Sequence, residues 1–143
     1  MLFIGKGVMR VTTMRFSRQR EAIFQALCAR RDHPTAEMLY HALRQAHPNI
    51  SLGTIYRNLS LLEQKGEILR LHGQDSPDRY DGITAPHDHL RCLTCGSVED
   101  LPNMGSIVDL AAAQEVAACL DMAVEGYRIV FEGRCGSCAA LAQ

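Results

Sequence analysis

Apolar residues recur at helical spacing through the first half of the chain. From Ser17, a good N-cap residue, Ala22, Ile23, Ala26 and Leu27 fall on one face of a predicted helix that runs to about Arg31. Pro34-Thr35 opens a second helix, in which Met38, Leu39, Ala42, Leu43 and Ala46 keep the same spacing until His47-Pro48 stops it. Ser51 starts a third. There Ile55, Leu59 and Leu62 form the inward stripe, Gly53, Thr54, Tyr56, Arg57 and Ser60 make a polar face, and Gly66 supplies a left-handed stop. Residues 67–71 and 79–81 flank the turn-rich segment from His72 to Asp78 and read as a hairpin. Residues 1–14 show no clear period and read as an arm.

Gly82-Ile-Thr-Ala-Pro86 interrupts this pattern and reads as a hinge. Beyond it come a strand from His87 to Leu93, a Thr94-Cys95-Gly96 turn, a strand from Ser97 to Leu101, a helix from about Asn103 to Leu120, and a strand from about Gly126 to Glu132. The expected fold class is α+β: a winged helix-turn-helix over 1–81, a hinge over 82–86, and a small α/β dimerisation and metal-sensing domain over 87–143. In a chain of 143 residues, 47% hydrophobic, there is enough apolar surface for a core. The second module is nevertheless small and apolar (Ile107, Val108, Leu110, Val116, Leu120, Val130, Phe131), so it is expected to pair with a second copy.

Charge sharpens the division. Residues 1–80 carry 12 Lys and Arg against 7 Asp and Glu, net +5, and residues 81–143 carry 3 against 9, net −6. A positive first half suits a polyanion, and three helices with a hairpin place the third helix in a DNA major groove. Thr54, Tyr56, Arg57 and Ser60 would face the bases, with Arg57 reaching a base or phosphate. Arg15, Arg18 and Arg20 on the first helix, and Arg70 or Arg79 in the wing, would position the duplex through phosphates.

Cys92-x-x-Cys95 and Cys135-x-x-Cys138 each set two thiolates on a tight knuckle, and four thiolates close the sphere of a structural Zn(II). The 39 residues between the pairs exceed an ordinary zinc ribbon, so the ion would staple the first hairpin to the later end of the module. Cys28 and Cys119 read as buried small apolar residues. No apolar run approaches the roughly 18 residues of a membrane span, and Met1-Leu2-Phe3-Ile4 is too short for a signal-peptide core; a cytoplasmic protein with reduced thiols is expected, without membrane contact.

His87 and His89, two apart, project from one face of a strand. A hairpin centred on the 92–95 knuckle pairs residues summing to 187, which sets Asp100 opposite His87. Asp81 can fold back from the wing, and His33 ends the first helix. Three imidazoles and two carboxylates suit Fe(II), Mn(II) or Zn(II); surface histidines without an ion are the alternative from spacing alone. A metalloenzyme needs open coordination positions, which five protein ligands would nearly fill. The expectation is therefore a protein that is not an enzyme and takes no organic substrate.

The motifs His33-Pro34-Thr35-Ala36, Ser51-Leu-Gly-Thr-Ile-Tyr-Arg57-Asn58-Leu59, Arg79-Tyr80-Asp81, His87-Asp88-His89-Leu-Arg-Cys92-x-x-Cys95-Gly96 and Cys135-x-x-Cys138 resemble those of the ferric uptake regulator family, from Arg15 to Cys138. The resemblance implies a homodimeric winged-helix repressor of palindromic operators, with His33, Asp81, His87, His89 and Asp100 as regulatory ligands. Asp rather than Glu at 81 and 100 resembles the family's peroxide sensors, in which oxidation of a ligand histidine releases metal and DNA. An iron- or zinc-responsive repressor of the same fold is the alternative. A further site used by many iron sensors, with Asp88 and a late-strand histidine, is expected to be absent or altered, because Gly126-Tyr127 stand in that vicinity.

Overall fold

The computed structural model describes the backbone of residues 7–101 and 107–141 and the side chains of 18–101 and 107–141. The chain divides between Thr84 and Ala85 into two compact units, each with one small sheet. The fold is α+β.

In the first unit, α1 (Gly7–Cys28), α2 (Ala36–Leu43) and α3 (Leu52–Gln64) precede β1 (Leu69–Leu71) and β2 (Arg79–Asp81). This is the order of helices and wing expected from the sequence. Thr35 caps α2 by accepting from the Met38 amide, and Ser51 caps α3 by accepting from the Thr54 amide. Gly66, at φ +71°, follows the C-cap of α3. The wing pairs Leu69 with Asp81, Arg70 with Tyr80 and Leu71 with Arg79. Ile23, Leu27, Leu39, Ile55, Leu59, Leu62 and Ile68 are almost wholly buried, and Tyr80 brings the wing into the same core. Each such aliphatic side chain contributes about 1.5–3 kcal/mol by leaving water.

Two expectations fail here. The first helix starts at Gly7, passing through Ser17, because no Gly or Pro interrupts the chain from residue 8 to Cys28; of the arm expected over 1–14, residues 1–6 lie outside the described residues. Cys28 is exposed because it lies at the last residue of α1, one beyond the buried Leu27.

The second unit holds β3 (Asp88–Cys92), β4 (Val98–Leu101), α4 (Leu110–Ala118), β5 (Val130–Gly133) and α5 (Gly136–Leu141). Its sheet runs β4-β3-β5, with β3 antiparallel to β4 and parallel to β5. The helix expected from Asn103 begins instead at Leu110, where the Asp109 carboxylate caps the Ala112 amide; residues 103–106 lie outside the described residues. The late strand is confined to Val130–Gly133, the stretch that pairs with His89–Cys92, and does not reach back to Gly126.

No residue of α4 is buried in the single chain, and Ile107, Val116, Leu120, Met122 and Phe131 are exposed. Cys119, the C-cap of α4, is exposed with them and not buried as expected. On β3 the polar residues His89 and Arg91 are buried and Leu90 is only half-buried, an inversion of ordinary strand patterning.

Candidate metal centres and nucleic-acid face

The thiol quartet grows out of the second sheet. At the β3–β4 loop the Cys92 amide donates to the Ser97 carbonyl and the Gly96 amide to the Cys92 carbonyl, both at 2.9 Å. Gly96 closes the loop at φ +71°, a conformation in which a Cβ is strained. On the other edge Gly133 pairs with Cys92, which carries Cys135 to the same end of β3. The Cys135 amide donates to Cys92 Sγ at 3.3 Å, and Cys95 Sγ stands 3.8 Å from Cys135 Sγ.

All four sulfurs lie within 4.8 Å of one another. A tetrahedral zinc with Zn–S bonds of about 2.3 Å spaces its thiolates roughly 3.8 Å apart, so the donors and their spacing fit that ion. The amides of Cys135 and Cys95 lower the Cys92 thiol to about 5. The Ser97 hydroxyl and amide lower Cys95, whereas Cys138 is pushed up to about 12, chiefly by its hydrogen bond with Cys135. The hydrogen bonds of the knuckle thus favour the thiolate at Cys92 and Cys95 and the thiol at Cys138.

The imidazoles and carboxylates form one set in each unit. In the first, the α1–α2 turn holds His33 at φ +47°, and its Nε2 lies 3.4 Å from Asp81 Oδ2, both residues being buried. The other oxygen of Asp81 accepts from the Ile83 amide at 2.8 Å. In the second unit, Asp100 Oδ1 lies 3.1 Å from His87 Nε2 and 3.5 Å from His89 Nε2. His89 is fully buried, and the two rings stand 4.4 Å apart. His87 Nδ1 lies 2.7 Å from the Ala85 carbonyl. A carbonyl only accepts, so Nδ1 carries a proton and Nε2 is the nitrogen that faces Asp100.

The register corrects the expected pairing. Asp100 opposes His89, not His87, because a four-residue loop (Leu93 to Gly96) separates the strands where a two-residue knuckle was expected. A slip of two preserves the face, so the same three side chains still converge.

On α3, Tyr56 and Arg57 are exposed and Ser60 is half-buried. Thr54 is buried, its hydroxyl sharing a 2.9 Å hydrogen bond with Ser51. Tyr56 donates its hydroxyl to Glu37 at 2.7 Å across the helices. Arg20 donates to Asn58 Oδ1 at 3.2 Å, and Asn58 donates to the Thr54 carbonyl. Arg18 is exposed and lines an open cleft of about 340 Å³ with His47 and Asn49. The Arg15 side chain lies outside the described residues.

In the wing, Arg70 pairs with Asp78, and Arg79 turns inward to the carbonyls of Asp32 and His33. The sequence reading missed Glu37 and Asn58, whose partners are 19 and 38 residues away. Ser97 was within reach: it follows Cys95 and Gly96 directly, where a knuckle commonly turns donors toward its sulfurs.

A unit of three helices and a wing followed by a unit that gathers four thiols is the architecture of a DNA-binding regulator with a candidate metal site. Residues 11–128 match the ferric uptake regulator family, and the chain belongs to that family. Its members are transcriptional regulators, and this chain is one rather than an enzyme. It is 36% identical over 132 residues to the peroxide-responsive repressor PerR of Staphylococcus saprophyticus, covering 91% of this chain and 86% of that protein. The crystal structure of the Campylobacter jejuni peroxide stress regulator superposes with a TM-score of 0.75 at 25% identity, over 95% of this chain and all of that one. The Helicobacter pylori ferric uptake regulator Fur, described with three functional metal-binding sites, gives 0.70 at 26% identity, over 91% of this chain and 88% of that one.

Proposed function

We propose that this chain is a cytoplasmic, homodimeric, metal-dependent repressor that binds a palindromic operator in double-stranded DNA and releases it when hydrogen peroxide oxidises a ligand histidine. The observation that carries this reading is Asp100, whose carboxylate faces both His87 and His89 while the Ala85 carbonyl fixes the His87 proton on Nδ1. A carboxylate that faces two imidazole nitrogens is a donor set suited to a divalent cation. The name of the staphylococcal relative supports the peroxide branch of the family.

Cys92, Cys95, Cys135 and Cys138 hold a structural Zn(II). His33, Asp81, His87, His89 and Asp100 together hold one regulatory Fe(II) or Mn(II). His33 and Asp81 belong to the DNA-binding unit and the other three to the dimerisation unit. An ion that takes ligands from both favours the arrangement that fits the operator. A swing from 1:99 to 99:1 needs about 5.5 kcal/mol of differential affinity, within reach of losing one or two inner ligands.

When bound, Fe(II) would supply the chemistry that activates peroxide; overall one peroxide oxygen would add at an imidazole C–H and the other would leave as water, the ring giving up the two electrons. By the likeness to the family's peroxide sensors, His33 or His87 would receive that oxygen. Asp81 and Asp100, each one methylene shorter than Glu, set how closely the carboxylates approach. Arg57, Tyr56 and Ser60 face the major groove, and Arg15, Arg18 and Arg20 steady the duplex through its phosphates; Thr54, expected among the groove residues, is buried and bonded to Ser51 and supports the start of α3 instead. The exposed apolar side chains around α4 and β5 are covered by a second copy.

After one equivalent of peroxide, the Fe(II) protein gains one oxygen atom on a peptide containing His33 or His87 and loses operator affinity; the Mn(II) protein does neither. Mass spectrometry and operator titration read both. Iron-loaded protein that stays unmodified and bound overturns the peroxide reading in favour of a repressor governed by iron or zinc occupancy. The likeness to the Helicobacter Fur supports that second reading.

A further inference from the structure

Among the described residues of the first unit, His33 is the non-glycine residue with a positive φ, +47°. The next residue is Pro34, which ordinarily drives its predecessor into extended backbone, so His33 occupies its conformation against two local preferences. Such a conformation persists where the surroundings over-determine it. Here β2 does so residue by residue. Arg79 Nη1 donates to the His33 carbonyl at 3.2 Å and to the Asp32 carbonyl at 3.4 Å. The Tyr80 amide donates to the Pro34 carbonyl at 3.1 Å. Asp81 then presents its carboxylate to the His33 ring at 3.4 Å.

We propose that Arg79 is a positioning residue for the regulatory site: its guanidinium fixes the left-handed turn so that the His33 imidazole is held against Asp81. The inference rests on the reading of His33 and Asp81 as regulatory ligands. It takes Arg79 away from the phosphate contact expected of a basic wing residue. Three consecutive residues of one strand hold the turn backbone and supply a ligand, so the donor pair is preorganised before an ion arrives. One nitrogen, Nη1, donates to both adjacent carbonyls, so a Lys ammonium that reaches the same place keeps part of the contact.

The test uses the full-length, zinc-containing dimer with Mn(II) as the probe. Manganese affinity is measured by competition for wild type, His33→Ala, Arg79→Ala, Arg79→Lys and the His33→Ala/Arg79→Ala double variant. Thermal unfolding is followed in parallel. Arg79→Ala is expected to bind Mn(II) about 10–100-fold more weakly, as loss of an outer-shell partner does. Arg79→Lys should recover part of that loss. The double variant should bind no more weakly than His33→Ala alone, because Arg79 acts through His33.

At saturating Mn(II), Arg79→Ala should match wild-type operator affinity and keep its salt dependence. Additive losses in the double variant, or an Arg79→Ala affinity within twofold of wild type while His33→Ala is impaired, overturn the positioning role. A shallower salt slope at saturating metal makes Arg79 a phosphate contact instead. If His33→Ala itself binds Mn(II) as wild type does, the ligand assignment beneath the inference fails, and that result is distinct from the others.

Discussion

The bond between the Tyr56 hydroxyl and Glu37 gives α2 and α3 a shared titration. Accepting that hydrogen bond holds the Glu37 carboxyl below its usual range, and giving it raises Tyr56 to about 12. A depressed carboxylate stabilises the fold above its unfolded pKa of about 4.3 and loses that stabilisation as pH falls through its folded value. A raised phenol stabilises below its unfolded pKa of about 10 and loses the contribution as pH rises toward its folded value. Tyr56→Phe is therefore expected to flatten the unfolding midpoint against pH at both ends and to return Glu37 to the ordinary range, read by carboxyl NMR titration. An unchanged Glu37 titration would contradict the assignment. The pair was illegible in the sequence, because Glu37 and Tyr56 meet only after two helices cross. The convergence of His87, His89 and Asp100 was legible, since the two histidines alternate on one strand and Asp100 returns on the next, whereas no such register joined His33 and Asp81 to that set, and the family resemblance carried their assignment.

At the level of elements, the end of α3 isolates one backbone effect. Gly66 sits at φ +71° with no atom within 4 Å of where a Cβ would stand, so Gly66→Ala meets no clash and measures conformational strain alone. The expected cost is about 1–2 kcal/mol in chemical denaturation, with Gly66→Asn losing less because Asn tolerates the left-handed region. Equal losses for Ala and Asn would point to a different cause. Helices with caps and stops in the sequence, α2 and α3, were read closely for that reason. The start of α1 was not, because Ser17 can cap a helix as readily as lie within one, and only the absence of a breaker upstream distinguishes the cases. The parallel pairing of β3 with β5 left no local signal either: it is a contact between segments some 40 residues apart, fixed by where Cys92 and Gly133 meet.

For the molecule as a whole, the second unit leaves Val116, Leu120 and Met122 each about two-thirds exposed in one chain. Apolar exposure on that scale marks an association face. The thiol quartet joins the β3–β4 loop to the segment after β5, and we propose that a zinc ion held there shapes that face. Cys135→Ser is expected to lose bound zinc and to elute as a monomer in size-exclusion chromatography, with the first unit retaining its helical signal. A zinc-free variant that remains fully dimeric would show that the quartet does not support the interface.

The same pairing of β3 with β5 sets an order of events during synthesis. The first unit draws all its strands and helices from the first 84 residues and is free to fold as soon as they emerge. The second sheet is incomplete until Gly133 reaches Cys92. At about 5–20 residues per second, Cys95 waits roughly 2–8 s for Cys135. A newborn chain thus spends seconds with two thiols that a finished chain packs among four, and oxidant present at that moment meets a protein not yet able to protect its own scaffold.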